Sequence, residues 1–339
     1  DAPARVGWGR RDAGYRTVMS LAGHDLSRSI SENYLAFSRE ARGRSRPYEI
    51  LAAEVAGDPL VLAFLAALPP AKRQPNLLFA AARYLLGRPA GLASLRELVA
   101  GRGPELASVM RARRTQTNEP ARCAVLLPAL MLLPQPLALL EVGASAGLTL
   151  LPDRYSYDYA GHRVTGTDPR APVLGCEPRG PVPLPDRVPA VCWRAGLDLN
   201  PLDVSSDADM HWLACLLWPG ETGREQRLAG AIATARRDPP AVHRGDLLTD
   251  LPALARQAPS GATLVIYHSA VLGYLSAAER GRFAETVRGL DAVWLSNDVP
   301  QLPDAPMPTA DEAPFQLVRD GHILLAAADG HGTWLRWLA

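Results

Sequence analysis

Six positions in one short stretch carry the densest chemical information in the chain. The apolar run 137–140 leads into Glu141, and the turn that follows reads Gly143-Ala144-Ser145-Ala146-Gly147 before apolar residues resume at helical spacing. Small residues let a backbone reverse sharply and let a ligand approach it, so the pattern predicts a buried parallel strand turning into a helix. Two chemistries use such a turn. One is a nucleotide-type cofactor site on bare backbone; the other is the nucleophile elbow of a serine hydrolase, which Gly143-x-Ser145-x-Gly147 matches literally.

The hydrolase reading needs an aspartate and then a histidine downstream, and Asp298 with His322 or His331 supplies that order. It also needs several strands and an oxyanion loop before the elbow. The upstream chain reads as helical and has no such loop, so the cofactor reading accounts for more residues. Other groups suited to that reading lie at predicted strand ends: Asp198 and Asn200 in Gly-Leu-Asp-Leu-Asn, Asp246 in Arg-Gly-Asp-Leu, and His268 in Tyr-His-Ser. Ligands of open α/β sheets bind outside the carboxyl ends of strands, which is where three successive acids would stand. Asp168, in Thr-Gly-Thr-Asp-Pro, is a rival to Asp198, though a turn is its simpler reading.

A polar run, Arg114-Thr-Gln-Thr-Asn-Glu-Pro-Ala-Arg122, precedes the central strand. Thr117 or Asn118 as helix cap, with Glu119 and Pro120 in the first turn, explains part of it. Capping does not explain Arg114, Gln116 and Arg122 together, and a belt facing a ligand does. Tyr155, Tyr157 and Tyr159 follow the central turn. Their ordinary role is packing, with alternation predicting at least one facing solvent.

The elements that must position these groups fall into two parts. Apolar residues recur at helical spacing over 15–42, 48–68 (split at Gly57-Asp58-Pro59), 76–86 (Pro75 at the start, Gly87 at the end), 91–101 and 104–113. Residues 1–122 are therefore expected to form an all-helical cap domain. From 123 to 339 strands and helices alternate: strands over 190–199, 240–246, 262–268 and 291–297, a broken helix over 207–236, and an antiparallel closing pair after Phe315. A stretch at 152–189 with eight prolines reads as an insertion of loops or a small hairpin.

Composition excludes several classes. A net charge of +1 gives no electrostatic ground for nucleic acid or an anionic membrane as partner. The four cysteines and seven histidines show no metal-ligand spacing, so no metal is expected. Lys72 is the single lysine, in a proline-bounded loop without a glycine cradle, which argues against Schiff-base and P-loop chemistry. The apolar stretch 123–133 is shorter than the ~20 residues that span a bilayer. A cytoplasmic enzyme acting on a small molecule is the expectation; oligomeric state stays open.

Glu141-x-Gly143-x-Ser145-x-Gly147 resembles the acidic-x-Gly-x-Gly-x-Gly turn of class I S-adenosylmethionine-dependent methyltransferases, with serine at the middle glycine. The resemblance covers roughly residues 137–339. It implies a Rossmann-like, mostly parallel sheet with an antiparallel C-terminal hairpin. It also implies that the turn receives the methionine end of the cofactor on bare N–H groups and a helix N-terminus. Asp198 would accept the ribose hydroxyls, although it lies far beyond the usual ~20 residues past the turn, and Asp246 would meet the adenine. Arg114, Gln116, Asn118 and Asn200 would complete the cofactor's surroundings. A narrower resemblance, carried by RQPNLLF (73–79), RTQTNEPARC (114–123), EVGASAGLTLL (141–151), GLDLNPLD (196–203) and HGTWLRWL (331–338), is to an actinobacterial family of unknown function thought to be methyltransferase-like. The architecture also resembles bacterial enzymes that cyclise S-adenosylmethionine to azetidine-2-carboxylate. Methyl transfer, with His268 as base, is the first expectation. Cyclisation, with Asn200 and Tyr157 bending the methionyl tail, is the alternative, and a non-catalytic cofactor-binding protein is the third.

Overall fold

The computed structural model describes residues 28–302 and 315–339. The predicted helix 15–42 begins outside the described residues. What is described is α1, Ile30–Ala41, started by a capping box in which Ser29 and Glu32 exchange side-chain bonds with each other's backbone. α2 (Arg46–Val55) and α3 (Pro59–Ala66) flank the predicted break, and the Asp58 carboxylate caps α3 through the N–H of Val61. α4 spans Pro75–Leu86, with proline at its first position and Gly87 closing it at φ +69°. The two short helices predicted beyond it are one, α5, Leu92–Ala112, kinked at Arg102 just before Pro104.

Aromatic rings fill the centre of this helical layer. Phe79 contacts Tyr34, Phe37 and Tyr48, with centroids 4.9 to 5.9 Å apart. The layer does not end at residue 122. Trp212 and Trp218, on and after the later helix α7 (Asp207–Cys215), complete its core. Their indoles donate to the carbonyl of Arg114 (3.0 Å) and to Asn76 Oδ1 (2.9 Å). Large rings from the sheet half thus fix the helical half in place.

α6, Arg122–Met131, leads into β1, Leu137–Val142, every residue of which is buried. The main sheet runs β5-β12-β11-β10-β9-β8-β1-β6-β7. The five strands β7 (Val242–Arg244), β6 (Val191–Asp198), β1, β8 (Thr263–Ser269) and β9 (Val293–Asp298) are mutually parallel. Helices α8 (Thr222–Arg237), α9 (Leu251–Ala255) and α10 (Ala277–Arg288) lie in the connections. The tail adds three antiparallel strands, not a pair: β10 (Phe315–Arg319), β11 (Ile323–Ala328) and β12 (Trp334–Trp337). The fold is α/β, a mostly parallel sheet with helices and an antiparallel C-terminal end. No helix among the described residues is long and apolar enough to cross a membrane.

The largest departure from expectation follows β1. The predicted helix is a single 3-10 turn, Leu148–Leu150. Pro152 lacks the N–H a helix would need there. Thr149 donates its hydroxyl to Glu141 instead. The chain then forms a small sheet, β3-β2-β4, from β2 (Ser156–Tyr159), β3 (His162–Val164) and β4 (Val173–Gly175), before β5 (Glu177–Pro178) joins the edge of the main sheet. The proline-rich segment is therefore the crossover between β1 and β6.

Candidate functional site

The ends of the five parallel strands converge on a cavity of about 600 Å³, within the range typical of small-molecule sites. The parallel register brings Val142 beside Leu197 and His268, so β1, β6 and β8 end nearly level. Gly143 and Ser145 form the floor after β1; Asp198 and Asn200 follow β6; Ser269 and Val271 follow β8. Gly245 and Asp298 extend it after β7 and β9. The opposite wall comes from the helical half: Arg39 in α1, Arg44 in the turn after it and the irregular segment 114–117, with Arg122, Phe315 and His331 at the corner.

The turn over β1 owes its shape to left-handed backbone at alternate residues: Gly143 (φ +72°), Ser145 (φ +53°) and Gly147 (φ +70°). A Cβ on Gly143 would lie 2.4 Å from Val271, and one on Gly147 would lie 2.7 Å from Pro240. Both positions require glycine for space as well as for φ. Ser145 carries the same strain with a side chain. Its hydroxyl is buried and has no hydrogen-bond partner, so no histidine is positioned to activate it as a nucleophile. His322 pairs with the Asp320 carbonyl, at the start of β11.

The backbone of the turn is not bare. Gly143 N–H donates to Leu197 O (2.8 Å), Ser145 N–H to Asp198 Oδ2 (2.8 Å), Gly147 N–H to Ala144 O (2.7 Å) and Leu148 N–H to Asn118 Oδ1 (2.9 Å). The expected cradle of free donors and a helix N-terminus is thus absent, because the protein's own acceptors occupy it. Asn118 is buried as a brace for this turn, not as a helix cap, and lies outside the cavity lining. Glu119 lies just before α6, accepts the N–H of Ala121 (3.2 Å) and pairs with Arg224 (2.7 Å) and Arg227 (3.2 Å).

Glu141 lies beneath the turn and does not line the cavity. It is buried, its Oε1 accepts from Thr149, and its Oε2 has no partner. Burial pushes its carboxyl up to about 8, against the opposing effects of Thr149 and Arg122. Asp198 does line the cavity, yet both its oxygens already accept backbone N–H groups, from Ser145 and from Asn200 (2.7 Å). Asn200 is tied further by its carbonyl, which accepts from Gln116 Nε2 (2.9 Å), leaving the buried Gln116 Oε1 unpartnered. Arg114 and Gln116 both line the cavity.

Other expected site residues stand elsewhere. His268 is fully buried between Phe283 and Trp294, with Nδ1 3.2 Å from Asp298, and does not line the cavity. Successive residues of a strand point to opposite faces, and His268, next to the cavity-lining Ser269, points to the face covered by α10. Tyr157 is buried in the small sheet, donating to the Pro152 carbonyl and stacked on Tyr159. All three tyrosines are buried, because residues two apart share one face. Asp246 caps its own loop by accepting from Leu248 N–H (2.8 Å) and does not line the cavity. Asp168 pairs with Arg237 in a separate depression, so it does not compete with Asp198 for this site.

Two residues stand at the cavity corner that the sequence offers only in passing, Arg122 as the end of the polar belt and His331 as a hydrolase candidate. Arg122, only 5% exposed, donates through Nε to Gly330 O (2.9 Å) and through Nη1 to Ser269 O (3.3 Å). His331 has its ring held down to about 2 by burial and then by Arg224, Arg122, Arg44 and Arg227, so it is neutral at physiological pH.

No curated protein matches the chain. A family model described as "uncharacterized protein conserved in bacteria (DUF2332)" matches residues 31–337, spanning the helical layer, the sheet and the cavity between them. The chain belongs to the DUF2332 family.

Proposed function

We propose that the cavity binds S-adenosylmethionine and that the protein transfers its methyl group to a small molecule, on a Rossmann-like methyltransferase sheet with a helical cap. The observation that carries this is the convergence of the small-residue turn after β1 and Asp198 after the adjacent β6 on one cavity at the carboxyl edge. The lining suits the group. The buried Ser145 hydroxyl and Gln116 Oε1 lack protein partners there; each is an orphan that a polar ligand atom would satisfy. Asp198 keeps lone pairs beyond its two backbone bonds for ribose hydroxyls. The exposed ring of Tyr274 offers a π-face to a cation.

When bound, the cofactor supplies a carbon already activated by a sulfonium. The chain's part is then to bind, orient and exclude water. The helical wall does the last of these. His268 is enclosed and His331 is a weak base, so the reaction favours an acceptor that brings its own lone pair, such as an amine. An intramolecular amine would give cyclisation by the same positioning.

The test is incubation of pure protein with S-adenosylmethionine and a bacterial small-molecule extract, followed by mass spectrometry. S-adenosylhomocysteine supports methyl transfer, and methylthioadenosine redirects the proposal to cyclisation. Absence of both products, with no binding of the cofactor, overturns it.

A further inference from the structure

We propose that Arg122 is the anchor of a carboxylate-binding subsite at the helical corner of the cavity. It would receive either the methionyl carboxylate of the cofactor or a carboxylate of the second substrate. The first alternative rests on the S-adenosylmethionine reading; the second does not.

Arg122 is a buried cation without an ion pair. Its two protein bonds go to the neutral carbonyls of Gly330 and Ser269, and its guanidinium lies 5.6 Å from the Phe315 ring centroid. No carboxylate among the described residues lies within ion-pair distance of it. Among the described residues Nη2 has no hydrogen-bond partner, and Arg122 lines the cavity. A buried charge without a counterion is costly. An arrangement kept at that cost is explained if the counterion arrives with the ligand.

Nearby acids do not serve as that counterion. Glu119 is taken by Arg224 and Arg227. Glu141 holds its proton at neutral pH. Asp298 accepts from three backbone N–H groups and from the His268 side. Asp329 is spent on the N–H groups of His331 and Thr333 and on the Thr333 hydroxyl.

The field around the corner is positive. Burial and four arginines suppress protonation of His331. Arg44 lies 4.2 Å over the Trp218 ring, paired to Glu221 at 3.4 Å. The turn after β1 is a poor anion site, because the N–H groups of Gly143, Ser145, Gly147 and Leu148 have protein acceptors. A guanidinium suits a carboxylate in geometry as well as charge.

The test is calorimetric titration of S-adenosylmethionine, its decarboxylated analogue and succinate into the wild-type protein, Arg122→Gln and Arg122→Lys, at matched ionic strength. If the cofactor carries the carboxylate, wild-type protein prefers S-adenosylmethionine to the decarboxylated analogue by about 10- to 100-fold, and Arg122→Gln loses that preference. If the second substrate carries it, the two nucleosides bind alike. Succinate then binds saturably to wild-type protein and at least about tenfold more weakly to Arg122→Gln. Should Arg122→Gln not fold, the wild-type preference and its reduction in Arg122→Lys decide. Retention of full carboxylate affinity in either variant overturns the proposal, as does a wild-type protein that neither prefers the carboxylated nucleoside nor binds succinate. Failure of both nucleosides with saturable succinate binding overturns the cofactor reading and leaves the subsite standing.

Discussion

The two walls of the cavity differ in how their charged groups are bonded, although the helical side also holds Glu40 and the ion-paired Arg44. On the sheet side, Asp198, Asp298 and Asp329 are each occupied by the protein's own N–H groups. On the helical side, Arg122 has no counterion, and Arg39 and Arg114 line the cavity without an ion pair among the described residues. Carboxylates that accept several backbone donors hold loops in shape. Guanidiniums without acids are left for something that is not protein. The acidic wall is therefore chiefly scaffold, with Asp198 serving both purposes, and the basic wall is chiefly recognition.

The largest effect is expected at Asp298. Its carboxylate gathers the N–H groups of Val271 (2.7 Å), Leu272 (3.0 Å) and Val299 (3.0 Å). Replacing it by alanine in Asp298→Ala should lower unfolding free energy by about 3–5 kcal/mol in a denaturant titration. A stable Asp298→Ala that has lost only ligand affinity would break the contrast between the walls.

Glu141→Gln should act next most strongly, and through pH. The folded carboxyl titrates at about 8 against an ordinary 4.5. Between those values the folded protein keeps a proton that the unfolded chain has released, so stability falls as pH rises through that window. Glutamine removes this fall and should leave the variant more stable than wild type by roughly 2–4 kcal/mol at pH 8. Parallel stability curves from pH 5 to 9 would show that Glu141 is charged in place.

Arg114→Ala should do the least to the fold, within about 0.5 kcal/mol, since its contact with Trp212 is made by the backbone carbonyl. It should still weaken ligand binding several-fold in titration calorimetry. A destabilised Arg114→Ala with unchanged affinity would return the basic wall to an ordinary structural role.

Much of the sheet was legible because buried parallel strands are short apolar runs with little else to be. The runs at 137–142, 191–198, 263–269 and 293–298 state themselves, and their carboxyl ends locate the cavity. Helix ends were legible where Pro75 and Gly87 mark them. The connection after β1 was not, because helical spacing of apolar residues also suits a 3-10 turn feeding a small sheet. Nor was the state of the polar groups. That Asp198 and Asn118 brace the turn, and that His268 points to the far face, depends on contacts 30 to 53 residues away in sequence. The sequence offers Arg122 as part of the polar belt, but only its partners, Ser269 and Gly330, reveal that it is buried without an acid.

The most direct test of the central claim is equilibrium titration of S-adenosylmethionine into wild-type protein, Asp198→Ala and Asp168→Ala. Saturable binding to wild type is predicted, weakened roughly 10- to 100-fold in Asp198→Ala and unchanged in Asp168→Ala. No binding to wild type, or a loss confined to Asp168→Ala, would contradict the assignment of the carboxyl-edge cavity as the cofactor site.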